Sequence, residues 1–399
     1  MSLSPTPLEP PVADREALDL VCQLMAIPGR GGEERAVMDF IEQRLAEAGL
    51  PLGSVQFDSA HKKSALGGGV GNAILKLPGR GPRRLLMAHT DTVPICIGSK
   101  PRVRGGRVRS ADPTTGLGAD DRSGTAVLLT TALGLLRSGT PHPPLTFLWT
   151  VQEEGGINGA RHVALGKLGK PALAFNFDGG TPTRLTLGAT GGYRMWVEIT
   201  GSPSHAGQAP ERGVSAIAIA ALAVADLVEN GWHGLIEKGG KRGTANVGVL
   251  EAGVATNVVA ERARLHIEAR GHDPKFRARI VREIEAAFRR AVKRVVSSEG
   301  RRGVVRFEGR LDYEAFRLVP DDPSVLAAQA VLREWGHDAE LAIANGGLDA
   351  NWLTAHRVPT VSIGCGQKQI HTVDEELDVA EFQLARRIAW SLAIGGGVA

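Results

Sequence analysis

Leu145-Thr-Phe-Leu-Trp-Thr-Val151 runs without polar alternation and then breaks into Gln152-Glu153-Glu154-Gly155-Gly156. A short, largely apolar run of this kind describes a strand covered on both faces, as in a parallel sheet packed between helices. Consecutive strand side chains point to opposite faces, so Glu153 and Glu154 start in opposite directions, and the glycines let the chain turn tightly behind them. One carboxylate can then bind a cation while its neighbour stays free to take a proton from water. Two adjacent acids in a dry site cannot both remain ionised without a cation.

Three other apolar runs stop at residue types that ligate metals. Leu85-Leu-Met-Ala88 ends at His89-Thr-Asp91, Ala172-Leu-Ala-Phe-Asn-Phe177 at Asp178, and Thr360-Val-Ser-Ile363 shortly before His371. Helical patterns lie between the strands. Residues 36–48 place Val37, Ile41 and Leu45 on one face with Gly49 as a stop, and residues 125–136 supply a second helix. The order from about Ala17 to Ala189 is that of an α/β domain.

At Gly191-Gly192 the texture changes. Tyr193, Met195, Val197 and Ile199 alternate with Arg194, Trp196, Glu198 and Thr200, which describes a strand with one wet face. A helix over 214–228, strands over 244–250 and 262–269, a helix over 274–295 and a strand over 303–308 follow. This β-α-β-β-α-β order is the ferredoxin-like arrangement. Helix and buried strand then return over 323–335, 360–363 and 379–393. The sequence therefore predicts a catalytic α/β domain made of residues 1–190 and 310–399, interrupted by an α+β insertion at 191–309.

Composition agrees with two domains: 399 residues with 43% hydrophobic content exceed what one core usually carries. No stretch approaches the roughly 18 to 20 apolar residues of a membrane span. The Pro-rich start lacks the basic and apolar segments of a secretory signal and reads as a frayed tail, so the expected location is the cytoplasm. Three cysteines without framework spacing fit a reducing compartment and ordinary buried thiols, although Cys96 and Cys365 lie close in sequence to His89 and His371. The net charge of +4 is mild, and its Arg-rich patches at 102–109 and 277–302 lack an aromatic ladder, so no nucleic-acid partner is expected. The second patch shares its helix with Phe276, Ile280, Ile284 and Phe288 and reads as a solvated face.

His89 and Asp91 share one side of an extended segment, where the carboxylate can hold the second ring nitrogen of a ligating imidazole. Taken alone, such a triplet also fits a plain structural pair. In Gly116-Leu-Gly-Ala-Asp-Asp-Arg-Ser-Gly124, Asp121-Arg122-Ser123 suffices to cap the next helix and leaves Asp120 free to bridge two cations. With Asp178 and His371 the set becomes His, Asp, Glu, Asp, His, the donor inventory of a two-metal hydrolase. Nitrogen and oxygen donors favour zinc, with manganese or cobalt as substitutes.

His89-Thr-Asp91, Gly118-Ala-Asp-Asp121, Glu153-Glu154, Asp178-Gly179, Ser204-His-Ala-Gly207 and His371-Thr372 resemble, in order and approximate spacing, the M20 dizinc metallopeptidases, above all the peptidase T-like aminotripeptidases. The resemblance runs from about Asp19 nearly to the end of the chain. It implies a phosphorylase/hydrolase-like zinc-peptidase domain with an inserted ferredoxin-like lid that also mediates homodimerisation. It implies two zinc ions per subunit, with Asp120 bridging, His89 and Asp178 on one, and Glu154 and His371 on the other. Asp91 would orient the first imidazole, Glu153 would act as general base, and the peptide bond after Asp120 would be cis. His205 matches a lid histidine that stabilises the oxyanion, often from the partner subunit. Asn257 and Arg270 match lid positions that contact substrate, where an arginine fork suits a terminal carboxylate. His142, His162 and His266 read as ordinary residues. Leu348, in Gly346-Gly-Leu-Asp-Ala-Asn351, stands where many relatives have serine, which bears on substrate preference. The implied activity is release of the amino-terminal residue of tripeptides. The alternatives are the same chemistry on N-acyl amino acids and, more remotely, a non-catalytic peptide- or metal-binding protein.

Overall fold

The structure is a computed structural model that describes residues 7–397; residues 1–6, within the start read above as a frayed tail, lie outside the described residues. The chain divides into two compact units, one formed by residues up to Ala189 together with Arg317 onward, the other by Thr190–Phe316.

The first unit is built on a sheet in the order Val55–Phe57, Ala73–Leu77, Leu145–Thr150, Arg84–His89, Leu173–Phe177, Val361–Ile363, Arg184–Ala189. Its centre is parallel: Arg84–His89 pairs with both Leu145–Thr150 and Leu173–Phe177, and the latter pairs with Val361–Ile363. Every residue of these four strands is buried, which is why their sequence shows no period-two alternation. The helix Ala119–Ser138 is buried through Leu135, as its apolar circumference requires. Because the four central strands are parallel, their carboxyl ends open on the same edge of the sheet, where ligands bind in open α/β sheets. His89, the Glu153-Glu154 turn, Asp178 and the loop to His371 all emerge there.

The second unit is a five-stranded antiparallel sheet in the order Gly234–Lys238, Lys241–Ala252, Arg262–Gly271, Gly191–Thr200, Val304–Tyr313. Helices Ala216–Glu229 and Pro274–Arg294 share one core with the sheet, where Val197, Ile199, Ile219, Leu265, Ile280 and Phe288 meet. Without its first strand this is the ferredoxin-like order. The additional strand went unread in the sequence, yet Gly239-Gly240 at φ 59° and 72° forms a two-residue hairpin turn between Lys238 and Lys241, a glycine pair suited to that turn. The unit also extends to Phe316 instead of ending at residue 309, because Val304–Tyr313 stays paired along Gly191–Thr200 as far as Tyr313 opposite Gly192. The arginine-rich helix has one exception to its solvated face: Arg277 is 6% exposed and grips Glu314 through two bonds of 2.6 and 3.1 Å. Phe288→Ala, which empties the centre of this core, is expected to cost about 3–5 kcal/mol in urea unfolding of the second unit.

Candidate metal centre

The strand ends bring five of the expected ligands to one place. Asp120 lies between the two imidazoles, with Oδ1 at 3.1 Å from His89 Nε2 and Oδ2 at 3.2 Å from His371 Nε2. His371 Nε2 is also 2.9 Å from Glu154 Oε1. Donor atoms of His89, Asp120 and Glu154 lie within 4.8 Å of one another, as do those of His89, Asp121 and Asp178. Asp121, a member of the second group, has its oxygens engaged elsewhere. Its Oδ1 accepts the Gly124 N–H at 2.9 Å and the Gln367 amide at 2.8 Å, and its Oδ2 accepts the His89 N–H at 3.1 Å. The first bond starts the regular part of the helix, since Asp120 and Asp121 have non-helical backbone angles and the peptide between them is cis.

Asp91 touches more than the first imidazole. Its Oδ1 is 3.5 Å from His89 Nδ1, while its backbone oxygen lies closer to that nitrogen, at 3.1 Å. The same carboxylate accepts the Glu153 N–H at 2.9 Å and the Glu154 N–H at 3.1 Å, one on each oxygen. The preceding amide, of Gln152, donates to buried Glu34 at 3.0 Å. Three consecutive N–H groups are therefore held by two buried acids, in a turn where Gln152 adopts φ 57°.

The electrostatics describe a chamber with more carboxylate than it can hold ionised. Burial pushes the Glu153 carboxyl well above the usual range, opposed by His89 and reinforced by Glu154, Asp349 and Asp178. Burial raises Glu154 too, with His371 opposing, and it lifts Asp178 to about 7 with help from Asp120. Asp120 goes the other way: burial would raise it, but bonds from His371 and His89 hold it below the usual carboxyl range. His371 is raised to about 10 by its contacts with Asp120 and Glu154. His89 is also raised well above the imidazole range, burial being outweighed by Asp120 and Asp91. Two imidazoles and several mutually raised acids fit a cation pair that prefers nitrogen and oxygen donors.

These shifts fix a pH dependence for the metal-free protein. A histidine whose folded pKa exceeds its unfolded value of about 6.5 contributes stability that is complete below that value and is lost as pH rises through about 10. Asp178, raised to about 7, acts in the same sense, its share falling between about pH 4 and 7. Calorimetry of chelator-treated protein is expected to show Tm falling from pH 5 to pH 9. Added zinc should reduce that fall, because cations bind the deprotonated ligands.

The remaining expected positions lie in the second unit. His205 is exposed, and its Nδ1 accepts the Gly207 and Gln208 N–H groups, each at 3.1 Å, which places the ring proton on Nε2. Asn257 is also exposed and adjoins this turn, its carbonyl accepting the Ala206 N–H at 3.0 Å. Arg270 stands apart on strand Arg262–Gly271, with Nε and Nη2 held by Glu268 at 3.0 and 3.1 Å, so a carboxylate already occupies its fork.

Several buried acids at the chamber were passed over in the sequence. Asp349, 1% exposed and raised by burial to about 6, is hydrogen-bonded to Thr150 at the end of the central strand, and its Oδ1 has no hydrogen-bond partner among the described residues. Glu34 is raised to about 7, burial outweighing its backbone bonds. Glu375 is raised too, by burial. Glu34 and Glu375 sit in short acidic stretches that look solvated in sequence, whereas Asp349 is a lone acid directly after Gly346-Gly-Leu348.

A chamber of this chemistry on the carboxyl edge of an α/β sheet has the donors to hold a pair of cations. The chain belongs to peptidase family M20/M25/M40, whose model matches residues 85–393. A protein of Bacillus subtilis (strain 168), the uncharacterized YqjE, is 30% identical over 373 residues, 93% of this chain and 95% of that one. Among solved structures, the tripeptidase SAV1512 of Staphylococcus aureus subsp. aureus Mu50 superposes with TM-score 0.85 at 28% identity, covering 96% of this chain and 98% of that one. Aminopeptidase PepT of Bacillus cereus ATCC 10987 gives TM-score 0.81 at 28% identity with the same coverage. These similarities place the chain in the peptidase T-like branch of the family.

Proposed function

We propose that this protein is a dizinc aminopeptidase that releases the amino-terminal residue of tripeptides. The observation that carries the reading is Asp120, one oxygen facing each imidazole, beside an acid pair of which only Glu154 touches His371. His89 and Asp178 would hold one cation, Glu154 and His371 the other, and Asp120 both. The cations would polarise the scissile carbonyl and lower the pKa of the attacking water towards about 7. Glu153 would act as the general base, taking a proton from the attacking water and passing it to the leaving amine. Its turn is fixed by the Asp91 carboxylate, which keeps the base in place while the neighbouring acid serves as ligand. His205, with its proton on Nε2, is suited to donate to the tetrahedral oxyanion.

Beside Asp178 a cavity of about 430 Å3, lined by Thr181, Arg184, Asn345 and Lys368 among others, offers room for a substrate side chain. Asn257 and Arg270 would contact the rest of the peptide, with Glu268 yielding the guanidinium fork to the substrate's terminal carboxylate. The second unit would act as a lid and join two subunits into a homodimer, a role supported by Ile217 and Val228, exposed on one face of helix Ala216–Glu229. Manganese or cobalt would substitute for zinc, and the cytoplasm is the proposed location. No helix among the described residues is long and apolar enough to cross a membrane.

The discriminating experiment sets unblocked tripeptides against their N-acetylated forms and against N-acetyl amino acids, with the zinc-loaded protein. The proposal expects cleavage of the unblocked peptides and release of the first residue. Preference for acylated substrates would replace it with an amidohydrolase of the same chemistry.

A further inference from the structure

We infer that Glu375 is the positioning residue for the shared carboxylate, fixing the backbone from which Asp120 emerges between the two imidazoles. The inference rests on the proposed role of Asp120 as a ligand common to two cations.

Glu375 follows His371 by four residues and is 1% exposed. Its Oε2 accepts the Gly118 N–H at 2.7 Å and lies 3.3 Å from the Cys96 thiol, and its Oε1 accepts the Asp120 N–H at 3.0 Å. One buried carboxylate thus ties together three segments: the turn Pro94–Cys96 that follows Asp91, the run into helix Ala119–Ser138, and the loop that carries His371. Two backbone N–H groups and a thiol on one side chain hold these segments in a single geometry.

Asp120 needs this support because the helix does not supply it. Its backbone, at φ −83° and ψ 107°, lies outside the helical region, so the regular ladder that fixes later residues does not set its direction. Gly118, at φ 81°, could swing the whole approach if its N–H were free. His371 is itself at φ 65°, uncommon for a residue with a side chain. A single loop therefore delivers one imidazole and also clamps the carboxylate that the imidazole faces at 3.2 Å. Glutamine would fill the same space but turn an N–H2 group toward either the Asp120 amide or the Gly118 amide and thiol. Aspartate would keep the charge and fall short by one methylene.

The test uses metal-free full-length wild type, Glu375→Gln and Glu375→Asp. Each is titrated with zinc against a competing chelator, the visible spectrum of its cobalt form is recorded, and Tm is measured without metal. Wild type is expected to bind two zinc ions. Glu375→Gln is expected to remain folded, to lose about 10–100-fold in zinc affinity and to show a shifted cobalt spectrum. Glu375→Asp should move in the same direction, and it decides the matter if the glutamine variant does not fold. Unchanged affinity with an unchanged cobalt spectrum overturns the inference, and so does a lower Tm with affinity retained, which is what a merely structural carboxylate would give. Wild type that binds no zinc would overturn the two-cation reading itself, a failure separable from that of Glu375 alone.

Discussion

Glu153→Gln is expected to keep both cations and lose about 10^2–10^4-fold in kcat on a tripeptide, with KM little changed. The reasoning is local. His371 lies against Glu154 and Asp120, which makes Glu154 the member of the pair that faces the proposed ligands. Glutamine preserves the shape and the backbone bond to Asp91 but cannot take a proton. Burial and the neighbouring acids raise the Glu153 carboxyl in the metal-free protein, and cations nearby would lower it towards the range a base at neutral pH requires. Steady-state kinetics with metal content measured on the same sample checks this. Near-wild-type turnover with both metals bound would remove Glu153 from the mechanism.

Asp120→Ala should be more severe, because it removes the group that faces both imidazoles at once. Loss of one carboxylate common to two cations is expected to cost more than about 100-fold in zinc affinity, beyond what removal of an outer hydrogen-bond partner costs, and to reduce hydrolysis to background. The metal-free variant should also respond less to pH. His371 loses the contact with Asp120, the largest of those that raise it, so the alkaline loss of stability described above should be smaller and should end at lower pH. Isothermal titration with zinc and calorimetry across pH 5–9 measure the two effects. Two cations bound with wild-type affinity would show that Asp120 is not shared.

Much of this was legible in the sequence because burial leaves a strong pattern. The strands ending at His89, Thr150 and Phe177 are apolar on both faces, and a ligand type at the end of each is visible without any structure. The helix Val379–Ala393 likewise announces itself by its apolar spacing, with Asp378 accepting the Glu381 N–H at its start. The edge strand Gly234–Lys238 was hidden because three of its five residues are exposed, which weakens the periodic signal to the glycine pair of its turn. In the centre, sequence position singles out His89, the Glu153-Glu154 pair and Asp178 just past or at strand ends, so these candidate residues are readable and the side chains that support them are not. Glu34, Asp349 and Glu375 come from loops and a helix start, where acids are ordinarily solvated, and only the folded chain shows them buried against the backbone they hold. Asp91 was read as a partner of His89 because the two are neighbours in sequence. Its bonds to the Glu153 and Glu154 amides join residues more than sixty positions apart.

The chemistry proposed for this chamber is hydrolysis of an amide with two cations held by His89, Asp120, Glu154, Asp178 and His371. Titration of the metal-free protein with zinc, with tripeptide hydrolysis and bound metal measured at every point, tests it most directly. Negligible hydrolysis without metal and a plateau at two equivalents per chain are expected. Full hydrolysis by protein stripped of metal, or two equivalents bound with no hydrolysis of any tripeptide, would contradict it.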